Sequence, residues 1–291
     1  MKVLLTGASG FIGSHLSKRL EAAGHLVLPV SRRPGSGFDW SDESLGRGVR
    51  ESDAVIHLAG ENLFAKRWSA AQKQILESSR TVPTRKLAAL AAERKPACFI
   101  CASAVGYYGP HSDAHLHEGS PRGNDFLANL CTEWEDSTLA ASKAGVRTAV
   151  IRTGVVLGPG GGALAQMLPP FRLGLGGPLG SGTQWLSWVH IEDLTSLFLF
   201  ILENSNVSGA FNGTAPRPVT MKEFARSLGK ALHRPAVFPV PGPVLRLALG
   251  EVADILLTGQ YVEPRRATEA GFQFKFKDVD SALIDIVGRT T

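Results

Sequence analysis

The sequence predicts an α/β fold built on a doubly wound, mostly parallel sheet with a smaller C-terminal α/β lobe, on the strength of three observations. Short apolar runs alternate with helix-length segments through the first half of the chain. The first run, residues 3–5, leads straight into a glycine turn at residues 7–13 that opens a helix-length stretch. Past Gly154 the texture becomes glycine-rich and then proline-rich, which marks off the second lobe. A chain of 291 residues, 44% hydrophobic and 20% charged, is large enough to bury a full core and is expected to fold throughout.

Each element follows from its pattern. Residues 3–5, 26–30, 54–58, 98–102 and 148–151 are apolar and strand-length. Between them, residues 11–23 form a helix that stops at Gly24. Residues 68–94 are long enough for two helices or for one bent at Pro83, and residues 124–143 supply a further helix. The glycines at 158, 160, 161, 162, 174, 176, 177, 180 and 182 read as loops around a pocket. Thr220 and Glu223 are spaced as a capping box, and prolines 235, 239, 241 and 243 mark a turn-rich connection. Residues 1–157, completed by part of 186–213, are therefore expected to form a Rossmann-type domain, and residues 158–291 the small lobe.

Composition excludes several classes. The formal charge of +5 is spread thinly, with no basic run longer than Arg32-Arg33 and Arg265-Arg266, so no nucleic-acid partner is expected. The longest apolar run, near residues 194–202, is far short of the ~20 residues of a membrane span. The N-terminus carries no signal-peptide pattern, so a cytoplasmic location is expected. Three cysteines make no disulfide framework, and Cys98 and Cys101 lie in a strand where residues three apart face opposite sides.

The glycine turn carries the chemistry. In Thr6-Gly7-Ala8-Ser9-Gly10-Phe11-Ile12-Gly13, Gly7 permits the tight turn, Gly10 lets backbone approach a pyrophosphate and Gly13 lets helix and strand pack closely. The helix start offers free N–H groups and a positive dipole, so Ser9, Phe11 and Ile12 join the glycines as cofactor contacts. At the end of the second strand Ser31 and Arg32 stand where a dinucleotide's adenosine ribose falls; a hydroxyl and a guanidinium there suit a 2′-phosphate, hence NADP(H) rather than NAD(H). After the third strand, Leu58, Ala59 and Gly60 are small enough for backbone to lie along the cofactor.

Taken together, T-G-A-S-G-F-I-G, H-L-A-G-E-N, S-A-V-G-Y-Y-G, R-T-G-V-V-L-G and W-V-H-I-E-D-L resemble an atypical extended short-chain dehydrogenase/reductase. More narrowly, the chain is similar over essentially its whole length to the "epimerase family" branch of the NAD-dependent epimerase/dehydratase group. The resemblance implies NADP(H) held also by Arg80 on the long middle helix and by backbone near Val155. Relatives acting on nucleotide sugars use a hydroxyl residue and a Tyr-x-x-x-Lys pair, in which the lysine lowers the tyrosine's pKa for proton exchange. Here Phe126 and Leu130 fall at the tyrosine and lysine positions. Ser103, or Ala104 by its spacing to Tyr108-Gly109, falls at the hydroxyl position, and Tyr107 and Tyr108 are the nearest phenols.

Other constellations are bland. His111, His115 and His117 read as a solvated loop rather than a zinc set, and His190 and Asp193 as groups that pack and cap a helix. Gln184, Trp185 and Trp188 either line a substrate pocket or pack in the core. The expected function is an NADP(H)-dependent oxidoreductase or epimerase acting on an unknown small molecule. A non-catalytic NADP(H)-binding protein that reports redox state is the alternative.

Overall fold

The computed structural model describes residues 1–32, 37–111 and 113–289. Its first half runs β1 (Lys2–Thr6), α1 (Phe11–Ala22), β2 (Leu26–Val30), α2 (Asp42–Glu51), β3 (Ala54–His57), α3 (Ala70–Arg94), β4 (Cys98–Ala104), the short strand β5 (His115–Leu116), α4 (Phe126–Asp136), α5 (Leu139–Lys143) and β6 (Arg147–Thr153). The second half runs β7 (Val155–Leu157), α6 (Gly162–Arg172), β8 (Trp185–Leu186), β9 (Trp188–His190), α7 (Ile191–Glu203), β10 (Gly209–Gly213), β11 (Val219–Thr220), α8 (Met221–Ala231), α9 (Gly242–Leu249), α10 (Asp254–Leu257), β12 (Tyr261–Val262), α11 (Arg265–Glu269) and α12 (Val279–Gly288).

Six parallel strands form the main sheet in the order β10-β6-β4-β3-β1-β2. The order reverses between β1 and β3, which pair with Thr6 opposite His57. A crevice opens beyond the strand ends at such a reversal, and the glycine turn after β1 lies there. Apolar layers cover both faces. Leu16, Leu20, Leu194 and Phe198 from α1 and α7 pack on one side; Leu45, Val49, Leu87 and Ala91 from α2 and α3 pack on the other. A separate cluster around Trp188, Phe224 and Leu283 fills the second lobe.

One element settles an alternative that the sequence left open, and two depart from its reading. Residues 70–94 form one helix with Pro83 inside it, because the buried stripe on both sides of the proline outweighs the ~3 kcal/mol an interior proline costs. Residues 124–143 divide into α4 and α5 at Ser137-Thr138, whose hydroxyls bond back to the carbonyls of Glu133 and Glu135. The glycine-rich stretch holds α6, whose Leu164, Leu168 and Phe171 are buried despite Pro169 and Pro170. The Thr220–Glu223 capping box is present, and His190 caps α7 by accepting from Glu192 N. Among the described residues no helix is long and apolar enough to cross a membrane.

Candidate functional site

Gly7 adopts φ +72°, and a Cβ there would stand 3.0 Å from the backbone of Leu58 and Ala59. The turn after β1 and the chain leaving β3 therefore touch backbone to backbone. Gly13 is tighter still, since a Cβ would meet Gly7 O at 2.0 Å. Gly10 differs: only Gly7 O, at 3.2 Å, lies within 4 Å of its Cβ position. Beyond Gly10 the crevice is open, and α1 begins there with no side chain capping its first N–H groups. That is a cradle for an anion, which those N–H groups and the helix dipole would hold. The Phe11 ring sits under the Gly158–Gly162 turn, where Cβ atoms on Gly161 and Gly162 would meet it at 2.5 and 2.8 Å. Ser9 and Ile12 complete the turn, Ser9 exposed and Ile12 half-buried.

The β3 end is fixed by one hydroxyl. Thr6 Oγ1 accepts from Leu58 N and Ala59 N, both at 3.2 Å, so its own proton goes to His57 Nδ1 at 2.6 Å. The ring then carries its proton on Nε2. Burial, with the charge of Arg80 adding, pushes the His57 pKa down to about 3, so the ring is neutral. Ser31 and Arg32 stand at the end of β2, with Ser31 N bonded to Phe38 O and Arg32 exposed. Arg33 lies outside the described residues.

Arg80 and Val155, both expected to touch the cofactor, bond within the chain. The Arg80 guanidinium is buried and donates to Glu61 O at 2.8 Å and Leu76 O at 2.9 Å. It braces the 58–61 connection, with its Cγ 3.3 Å from the Cβ position of Gly60. The Val155 amide is likewise engaged, with Ser187 O at 2.8 Å, so its N–H is not free for a ligand.

Ser103, Tyr107 and Tyr108 meet in a buried polar network that sequence reading did not find. Ser103 Oγ donates to Glu135 Oε1 at 2.7 Å, and Arg152 holds the same carboxylate through Nε at 2.9 Å and Nη2 at 2.8 Å. The two-pronged contact keeps Arg152 charged: burial opposes the arginine's charge, but Glu135 raises its pKa above the ordinary value. Tyr108 is fully buried; its hydroxyl donates to Asn212 Oδ1 at 2.8 Å and accepts from Arg152 at 3.1 Å. Burial pushes its pKa up to about 12 although Arg152 opposes the shift. Tyr107 stacks on the Arg152 guanidinium, 3.4 Å from its ring centre, and stays half-buried. Ser103 and Tyr108 thus have no proton pointed at the crevice. Arg152 was visible in the R-T-G-V-V-L-G segment; its partner Glu135, and Asn212 that receives the Tyr108 hydroxyl, carried no local signal.

Across the cleft, Trp188 is fully buried and its Nε1 donates to Arg217 O, so it belongs to the core. Gln184 Nε2 ties Leu179 O to Leu256 O, and Trp185 packs edge-on against Tyr261. At the start of α4, Phe126 meets Trp68 edge-on at 5.1 Å, and Leu130 is buried. Among the described residues no group of three or more His, Cys, Asp or Glu side chains is arranged to hold a metal.

The family model described as "NAD dependent epimerase/dehydratase family" matches residues 3–212, and a "Domain of unknown function (DUF1731)" matches residues 240–286. A mouse (Mus musculus) relative, "Epimerase family protein SDR39U1", is 45% identical over 295 residues, covering 99% of this chain and 100% of its own. An Arabidopsis thaliana relative, "Epimerase family protein SDR39U1 homolog, chloroplastic", is 44% identical over 299 residues, 97% of this chain and 86% of its own. The crystal structure of the human SDR39U1 protein, isoform 2, with NADPH superimposes with a TM-score of 0.94 at 40% identity, covering 99% of each chain. Similarity of this extent along the whole length, on a Rossmann-type sheet with an open glycine crevice, makes the chain a member of the NAD dependent epimerase/dehydratase family.

Proposed function

We propose that the chain binds NADP(H) in the crevice between β1 and β3 and acts as an oxidoreductase or epimerase on a small molecule without a tyrosine–lysine couple. The observation that carries this is the space beside Gly10, open in front of an uncapped helix start while Gly7 and Gly13 are packed solid. The crystallisation of the human relative with NADPH supports the same choice of ligand. Backbone N–H groups of Phe11, Ile12 and Gly13 would hold the pyrophosphate, and Ser31 and Arg32 the 2′-phosphate. Leu58, Ala59 and Gly60 would line the cofactor, with Arg80 acting through them. When bound, the nicotinamide supplies hydride transfer. In this reading residues 1–157, with 186–213, hold the cofactor, residues 158–291 the substrate, and the protein works in the cytoplasm.

A second reading is favoured by the network at Ser103. With the hydroxyls of Ser103 and Tyr108 committed to Glu135 and Asn212, neither is poised as an acid toward the crevice, which suits a non-catalytic NADP(H)-binding protein. One assay separates the two. Purified protein with NADPH or NADP+ is given a panel of carbonyl compounds, alcohols and nucleotide sugars, and the nicotinamide absorbance is followed beside direct analysis of sugar epimers. The enzymatic reading expects a substrate-dependent absorbance change with at least one carbonyl or alcohol, and turnover surviving in Ser103→Ala. Silence across the panel with intact NADPH binding favours the non-catalytic reading. Rapid epimerisation of a nucleotide sugar would overturn the claim that the tyrosine–lysine route is lost, since missing acid–base catalysis costs about 10²–10⁴ in rate.

A further inference from the structure

The segment 242–257, comprising α9, a short 3-10 turn at Gly250–Ala253 and α10, crosses from the small lobe toward the β3–α3 connection. It is thinly anchored. Of its residues only Val252 and Ala253 are buried; α9 buries none, and Val244 and Leu247 stay largely exposed. Its two ends are pinned. Upstream, Val240 pairs with the 178–180 backbone, ahead of Pro241-Gly242-Pro243. Downstream, Gly259 lies so close to Trp185 that a Cβ would meet its carbonyl oxygen at 1.9 Å.

Between those pins, Gln184 Nε2 from the small lobe holds Leu256 O at 2.8 Å near the downstream end, and two basic side chains from the opposite half hold the rest of the segment. Arg67 Nε and Nη2 donate to Ala248 O at 3.1 and 2.9 Å, and Nη2 also donates to Leu247 O. These are last-turn carbonyls of α9, which lack partners within the helix and sit at the negative end of its dipole, so the guanidinium caps α9. Lys73 Nζ bonds Glu251 Oε1 at 2.6 Å. The same ammonium lies 4.9 Å from the Phe126 ring centre and 6.0 Å from that of Trp68, so the aromatic pair positions it toward the segment. Arg67 and Lys73 belong to the connection and first turn of α3 that follow directly from Leu58, Ala59 and Gly60. The strap is thus fixed to the connection whose start would line the cofactor.

We propose that residues 242–257 are a lid over the cleft, held shut by an electrostatic latch in which Arg67 caps α9 and Lys73 grips Glu251, and that release of this latch limits exchange of NADP(H). The gating half of the proposal rests on NADP(H) binding as read above; the latch half does not. The latch is made of partly exposed charges, so salt and single substitutions should loosen it while the buried core stays intact.

The test uses the full chain, with Glu251→Gln, an exposed and nearly isosteric change, and the double variant Arg67→Ala/Glu251→Gln. Arg246→Gln, which breaks only the Arg246–Asp254 pair inside the lid, is the control. Amide hydrogen exchange reports opening, and stopped-flow nicotinamide fluorescence reports NADPH release. Exchange across 242–257 should rise in both latch variants, more in the double, with the sheet strands unchanged. NADPH release should quicken about three- to tenfold in the double variant, the size expected when a helix cap and an exposed ion pair are lost together. The control should match wild type in both. Unchanged exchange over 242–257 would overturn the latch. Raised exchange with unaltered NADPH release would overturn the gating. Absence of NADPH binding by wild type would instead sink the functional reading and leave the exchange experiment to decide the latch.

Discussion

Gly10 and Gly13 stand three residues apart in one turn, yet their substitution should fail in different ways. A Cβ on Gly13 would stand 2.0 Å from Gly7 O, inside the contact between turn and helix, so Gly13→Ala must displace backbone and is expected to cost several kcal/mol of stability. Gly10→Val should fold, because only one atom lies within 4 Å of the new Cβ, but its methyls occupy the space a pyrophosphate needs. Urea unfolding and NADPH titration of both variants check this: a fully stable Gly13→Ala, or a Gly10→Val that still binds, contradicts it. The network around Arg152 makes a second prediction. Glu135→Gln leaves a buried guanidinium without its counter-charge and should cost about 3–5 kcal/mol, whereas Ser103→Ala removes one hydrogen bond and should cost about 1. Equal losses in urea unfolding would mean that Arg152 is not held as described. Sequence made the glycines legible because Gly10 and Gly13 act on chain a few residues away and Gly7 shares their spacing. What Arg80 and Arg152 hold is less legible, because a guanidinium's role is set by its partners, and Glu61 O, Tyr108 and Glu135 reach them only through the fold.

Among the elements, the strands and α1 could be read directly from apolar runs punctuated by glycine; β1, β4 and β6 exceed the expected runs by a residue or two at one or both ends, β2 matches its run and β3 stops one residue short. The failures share a cause. The helix α2 has only Leu45 and Val49 as buried apolar residues in a polar stretch, and α6 carries two prolines beside a run of glycines. In both, tertiary burial of a few side chains overrides weak local propensity. Helix α7 shows local and long-range terms acting together. Its cap His190 accepts from Glu192 N, and Asp193 accepts from the amides of Lys275 and Phe276 at 2.8 and 2.9 Å, tying α7 to the C-terminal segment. Removing those two bonds by Asp193→Ala is expected to destabilise by about 2–4 kcal/mol, since one buried and one part-buried amide lose their acceptor. A change within 0.5 kcal/mol in denaturant unfolding would show that the tie is not needed.

For the molecule as a whole, stability should fall with acid before most carboxylates titrate. Burial holds His57 at about 3 and His190 at about 4, the latter despite the opposing charges of Glu192 and Asp285; both lie below the ordinary 6.5. The unfolded chain therefore takes up two protons that the folded chain refuses, so this stability is full above about pH 6.5 and is lost as pH falls toward 4. Each histidine contributes a slope of about 1.4 kcal/mol per pH unit in that window, giving a loss of about 3–4 kcal/mol between pH 7 and pH 5. His190→Asn, which keeps a capping side chain, should halve the slope; a flat profile in wild type would refute both shifts. The central claim is that the β1/β3 crevice is an NADP(H) site selected by Arg32, and paired fluorescence titrations of NADPH and NADH test it most directly. A charge-assisted hydrogen bond to the 2′-phosphate is worth roughly 1.5–3 kcal/mol, so wild type should bind NADPH at least about tenfold more tightly, and Arg32→Asp should narrow or reverse the gap. Equal affinities for the two dinucleotides in wild type, or a preference untouched by Arg32→Asp, would contradict it.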